Sequence, residues 1–165
     1  MPVQALSTAF ANGAAPSRHA GAQASSAPAP SATTSHPILE RARATAQAQG
    51  TPYAGGVTPK EAWELFSNGA AALVDVRTAE ERKFVGQVPG SAHVAWASGT
   101  ALTRNPRFAR ELAALHAKQP QPLPVLLLCR SGKRSALAAQ EAAKAGLAHV
   151  FNVSEGFEGD HDALQ

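Results

Sequence analysis

Large apolar residues are spread unevenly along the chain: six fall in residues 1–50 (Met1, Val3, Leu6, Phe10, Ile38 and Leu39) and thirty in residues 51–165. Only the second stretch can bury enough area to fold. Within it, helical and strand-like patterns alternate. Thr58-Pro59-Lys60-Glu61 combines an N-cap Thr, a Pro at the first helical position and a Glu at the third. Ala62, Leu65 and Phe66 follow at helical spacing, predicting a helix over 58–68 that Asn68-Gly69 ends. Ala72–Val76 is a short apolar run suited to a buried strand, and Thr78-Ala79-Glu80-Glu81 is a second capping box, opening a short helix through Lys83 or Phe84. Gly86, Pro89 and Gly90 mark a turn, and His93–Ala97 predicts a short strand. Asn105-Pro106 begins a helix whose Phe108, Leu112 and Leu115 share one face, and Pro120, Pro122 and Pro124 end it.

Val125–Cys129 shows no polar alternation, the pattern of a central parallel strand covered on both faces. A short loop is expected over Arg130–Arg134, then an Ala-rich helix over Ser135–Lys144 closed by Gly146, then a last strand over His149–Val153. Strands alternating with helices predict an α/β fold: a parallel sheet, right-handed crossovers and helices on both faces.

The first part of the chain reads differently. Of the 165 residues, 37 are Ala, and up to Leu39 there is no Asp or Glu and a single Arg, Arg18. A segment so poor in large apolar groups cannot offset the entropy of folding, so residues 1–36 are expected to be a disordered Ala/Ser/Pro-rich tail. It has neither the charged start nor the apolar stretch of a secretory signal; a plastid transit peptide is the minor alternative to a cytoplasmic protein. Residues 37–50 are expected to form a short helical linker with Ile38, Leu39, Ala42 and Ala46 on one face, leaving 51–165 as the folded domain.

One Cys excludes an internal disulfide and a thiol-rich metal site, and makes a reducing compartment the default. No apolar run approaches the ~18 residues that span a bilayer, so no membrane is expected as a partner. The formal charge of +3 is scattered along the chain, so nucleic acid is not expected either.

The chemistry gathers at that one thiol. Cys129 stands at the carboxyl end of its strand, where open parallel sheets bind ligands against the next helix start. After it come Arg130, Ser131, Gly132, Lys133, Arg134 and Ser135. A lone Cys ending an apolar strand is usually an inert core residue. Three cations crowded into five residues change that reading, because their repulsion is unfavourable unless an anion gathers them, and both they and the helix start stabilise a thiolate.

Three segments then resemble the single-domain rhodaneses, a family of sulfurtransferases. VDVRTAEERKFVGQVPGSAHV at 74–94 is similar to the family's D-x-R…E…G-x-[IV]-x-G-A segment, LLLCRSGKRS at 126–135 to its active-site loop, and NVSEGFEGD at 152–160 to its closing G-G-[FW] segment. The resemblance implies a parallel sheet of about five strands with helices on both faces. It implies Cys129 as the catalytic residue, cycling between thiolate and persulfide, with Arg130, Ser131, Gly132, Lys133, Arg134 and Ser135 binding the substrate. Asp75 and Arg77 match a family pair in a supporting role, for which a salt bridge or turn cap is an equal reading.

The reaction this implies takes the outer sulfur of a small anionic donor such as thiosulfate and passes it to cyanide, a thiol or a protein sulfur acceptor. It needs no metal and no organic cofactor. Two other classes stay open: a rhodanese-like binding or regulatory module, and a Cys-dependent phosphatase or arsenate reductase. The latter enzymes have five residues between Cys and Arg, whereas four separate Cys129 from Arg134 and Ser135 takes the Arg position. Mercaptopyruvate specificity is disfavoured, because that branch resembles Cys-Gly-[Ser/Thr]-Gly.

Elsewhere, His93, His149 and His161 have no partner at metal-ligand spacing, and Asp160-His161-Asp162 reads as a solvated turn. Trp63 and Trp96 are expected to be packing residues, and Glu155-Gly156-Phe157 a wall of the pocket by resemblance, with a plain core role for Phe157 the alternative. Many relatives continue past the point equivalent to Gln165 into another helix; whether the chain is complete there stays open, and it bears on stability and one wall of the site and not on Cys129.

Overall fold

A computed structural model of the protein describes residues 36–158. The expected tail up to residue 35 and the turn around His161 lie outside the described residues. Among the described residues no helix is long and apolar enough to cross a membrane.

The sheet is built from β1 (Gly55–Val57), β2 (Ala72–Asp75), β3 (Ala92–His93), β6 (Val125–Leu128) and β7 (Val150–Val153), ordered β1-β7-β6-β2-β3 with every pairing parallel. Helices α1 (Pro37–Gln49) and α2 (Pro59–Ser67) lie on one face; α4 (Phe108–Ala117) and α5 (Lys133–Lys144) lie on the other. The short α3 (Ala79–Phe84) follows β2. Alternation along the strands divides the core between the faces. Val74, Leu127 and Val150 join Phe108, Leu112, Ala138 and Ala142. Leu73, Leu126 and Phe151 join Leu39, Ala42, Ala62 and Leu65. Each large side chain buried in this way contributes about 1.5–3 kcal/mol.

Both capping boxes form. Thr58 and Glu61 exchange side-chain and backbone hydrogen bonds at the start of α2, and Thr78 and Glu81 do so at the start of α3. Helix α1 forms over the expected residues, but it is part of the folded body and not a connector: Leu39 is fully buried against the sheet.

Two further expectations are corrected, and one strand is added. The strand expected over His93–Ala97 is two. Ala92–His93 pairs with β2, the Val94 and Trp96 N–H groups still donate to the carbonyls of Asp75 and Val76, and Trp96 turns inward onto Phe108. The chain then leaves the sheet, and β4 (Ala97–Ser98) pairs antiparallel with β5 (Thr103–Arg104). The fifth strand of the sheet, β1, was not predicted, since Gly-Gly-Val has almost no strand signal; it is held by β7 on one side and α1 above it. Finally, α5 begins at Lys133, so Lys133 and Arg134 belong to its first turn and the loop is shorter than expected.

Candidate active site

Strand β6 ends one residue before Cys129, and the chain reverses within three residues to start α5. Gly132 makes this possible. It caps α5 at φ +91°, and a Cβ there would lie 1.9 Å from the Ser154 carbonyl oxygen, so only Gly fits between the loop and the turn after β7. Gly156 is matched to the other side: a Cβ would meet the Cys129 and Arg130 carbonyls at 2.5 Å. Through this close approach the Phe157 N–H donates to the Cys129 carbonyl (2.7 Å) and the Glu158 N–H to that of Arg130 (3.0 Å).

Cys129 is fully buried. Its Sγ accepts from the Gly132 N–H at 3.0 Å and lies 3.2 Å from Ser135 Oγ in the first turn of α5. The thiol therefore faces a backbone N–H, a hydroxyl and the N-terminal end of a helix.

The loop cations are distributed unequally. Arg134 grips Glu81 with two nitrogens, at 2.8 and 2.6 Å, and Arg130 pairs with Glu158. The Arg134 hydrogen bond is the largest influence holding the Glu81 carboxyl down at about 2, and the same pair raises Arg134 above its ordinary value. Lys133 is exposed and has no carboxylate within 4 Å among the described residues. Ser131 is exposed on the loop.

Asp75 and Arg77, both buried, form a pair at the end of β2. Arg77 Nη2 donates to Asp75 Oδ2 at 2.8 Å and to the Gly86 carbonyl at 2.7 Å. The guanidinium also lies 4.1 Å from the ring centre of Phe157, so the pair supports the closing turn from below. Trp96 is buried, but Trp63, expected to pack, is 59% exposed. It flanks an apolar recess of about 240 Å³ beside Phe157 and Val88. His93 contacts the Arg77 carbonyl, and His149 contacts Arg43 at 3.1 Å. Among the described residues no group of His, Cys, Asp or Glu is placed to hold a metal.

The residue missed from the sequence is Asn152. It is buried in β7, its Oδ1 2.5 Å from Ser135 Oγ, and its Nδ2 donates to the Gly132 carbonyl at 3.2 Å. The signal was present: an Asn inside Val-Phe-Asn-Val must find partners if the strand is buried. Glu81 was noticed only as a helix cap.

The sequence matches the rhodanese-like domain family over residues 58–163. The crystal structure of Rv0390 from M. tuberculosis is 44% identical, covering 67% of this chain and 85% of its own, with a TM-score of 0.55. The uncharacterized protein RP600 of Rickettsia prowazekii is 36% identical over 97 residues, 59% of this chain and 77% of its own. The thiosulfate sulfurtransferase GlpE of Actinobacillus pleuropneumoniae is 30% identical over 103 residues, 62% of this chain and 82% of its own.

Proposed function

The chain belongs to the rhodanese-like domain family, and from that premise we propose that it is a sulfurtransferase carrying sulfane sulfur on Cys129. The observation that carries the reading is the setting of Sγ, with a backbone N–H at 3.0 Å and a hydroxyl at 3.2 Å at the start of α5. The thiolate attacks the outer sulfur of thiosulfate or a persulfide donor. With thiosulfate, the bond to sulfite breaks and its electron pair leaves on sulfite, giving Cys129–S–S⁻. Cyanide, a small thiol or a protein thiol then attacks the terminal sulfur and regenerates the thiolate. The likeness to a thiosulfate sulfurtransferase supports thiosulfate as donor.

Roles within the loop follow from the pairing of its cations. Lys133 is the group available to attract the anionic donor, while Arg130 and Arg134 hold the loop against Glu158 and Glu81. Asp75 and Arg77 act structurally, beneath Phe157. The cycle uses no metal and no organic cofactor. A carrier thiol that must stay reduced suits the cytoplasm. The phosphatase reading fits less well, because Ser135 stands where the oxyanion-clasping Arg would be and the neighbouring Arg134 is committed to a carboxylate.

Incubation with thiosulfate is expected to add the mass of one sulfur atom, and cyanide is then expected to release thiocyanate. A wild-type protein as inert as Cys129→Ser overturns the reading. Undiminished capture of a protein partner by Cys129→Ser, with no turnover by wild type, replaces it with the binding-module reading.

A further inference from the structure

Strand alternation places Asn152 on the same face of β7 as Val150, toward α5, where it is 6% exposed. Burying an amide is unfavourable unless both of its ends are bonded. Here they are: Nδ2 faces the Gly132 carbonyl, which fixes Oδ1 as the end facing Ser135. Ser135 Oγ then lies between two acceptors, Asn152 Oδ1 at 2.5 Å and Cys129 Sγ at 3.2 Å, and has one proton to give.

We propose that Asn152 is a positioning residue for Cys129, with its Oδ1 the alternative acceptor that takes the Ser135 hydroxyl proton whenever the sulfur is uncharged. In the thiol state the S–H donates to Ser135 Oγ, whose own proton rests on Asn152. On ionisation the thiol proton leaves to solvent, and the hydroxyl turns about its Cβ–Oγ bond to donate to S⁻. When the thiolate takes the outer sulfur of a donor, negative charge moves one atom outward to the terminal sulfur. Sγ becomes a two-coordinate, disulfide-like atom and a poor acceptor, and the hydroxyl turns back to Asn152. Discharge reverses the movement. Because Oδ1 competes with S⁻ for this proton, Asn152 biases the site toward the states in which Sγ itself carries no charge, the thiol and the loaded persulfide.

The second half of this cycle rests on the reading of Cys129 as a sulfur carrier; the ionisation half does not. The charged groups at the loop and on the elements beside it include Arg130, Lys133 and Arg134, Asp75 at the end of β2 with Arg77 just after it, Glu80, Glu81, Arg82 and Lys83 from α3, and Glu155 and Glu158 on the closing turn. A neutral substitution at Asn152 leaves all of them in place.

The test follows thiolate ultraviolet absorbance against pH in the full chain, where one Cys makes the signal unambiguous. Asn152→Leu is expected to lower the midpoint by about one pH unit, a tenfold change in the thiolate-to-thiol ratio at a given pH. Ser135→Ala is expected to raise it. The double variant is expected to match Ser135→Ala, since in this proposal Oδ1 acts on the sulfur through the hydroxyl, whereas any effect through the Gly132 carbonyl would persist without Ser135. An unmoved midpoint in Asn152→Leu, or an equal shift with and without Ser135, overturns the proposal. If Asn152→Leu does not fold, Asn152→Asp replaces it: its stronger acceptor must raise the midpoint more when Ser135 is present than when it is Ala, and an equal rise overturns the proposal. Thiosulfate loading, scored separately by mass, distinguishes failure here from failure of the sulfurtransferase reading.

Discussion

The guanidinium of Arg134 is clasped by both carboxylate oxygens of Glu81, joining the first turn of α5 to the first turn of α3. Glu81 also accepts from the Thr78 N–H at 2.9 Å, so one carboxylate caps one helix and anchors the other. Its folded value of about 2 lies below the ordinary 4.5. The stabilisation it gives is therefore fully present above about pH 4.5 and is lost as pH falls toward 2. Glu81→Gln is expected to cost about 1–2 kcal/mol at pH 7. In urea unfolding, the gap between wild type and variant should close as pH is lowered through that window.

Gly132→Ala and Gly156→Ala force a Cβ into the backbone of the facing segment, at positive φ in both cases. Each is expected to cost about 3 kcal/mol and to move Sγ off its donors. Thermal unfolding measures the first effect and thiosulfate loading the second; loading at the wild-type rate would refute this account of the loop.

Asp75→Asn leaves the Arg77 guanidinium buried without its counter-charge, an expected loss of about 3–5 kcal/mol. Arg77→Met alone is also destabilising. Together they should cost less than their sum, with a coupling of about 2 kcal/mol in a double-mutant cycle. Additive losses would mean that the two side chains act separately.

Lys133 occupies the first position of α5, where a cation opposes the helix dipole and the first turn holds no acid to balance it. Its placement is unfavourable for stability, and on the proposed reading it serves to attract the anionic donor. Lys133→Ala should raise stability by about 0.3–1 kcal/mol. Over the same change, KM for thiosulfate should rise about tenfold with kcat nearly constant. A KM equal to that of wild type would leave the lysine without a role in the donor site.

What was legible in the chain was local. Capping boxes announce themselves because Thr58 and Glu61, or Thr78 and Glu81, interact across a single turn. Val125–Leu128 reads as a buried strand because every residue is apolar. The start of α5 was misplaced because nothing in Lys-Arg-Ser marks a helix start; the turn is made by Gly132, whose left-handed backbone is required by the Ser154 carbonyl, more than twenty residues away. The same distance hid the Glu81–Arg134 clasp. Asn152 was hidden by its neighbours: a strand pattern reports burial but not which polar group a buried amide serves. β1 owes its existence almost wholly to its partners, since its two glycines carry no preference for extended chain.

The place of β7 in the sheet order has a consequence for biosynthesis. It lies between β1 and β6, although β1 is made first among the strands and β7 last. Strands β6, β2 and β3 can therefore pair without β7, whereas the loop after Cys129 is complete only once the strand bearing Asn152 and the Ser154–Glu158 turn is in place. Until that strand slides into its gap, the thiol lacks the surroundings that shape it. Closing the sheet and completing the surroundings of Cys129 are thus one event, and a product cut short before β7 lacks both.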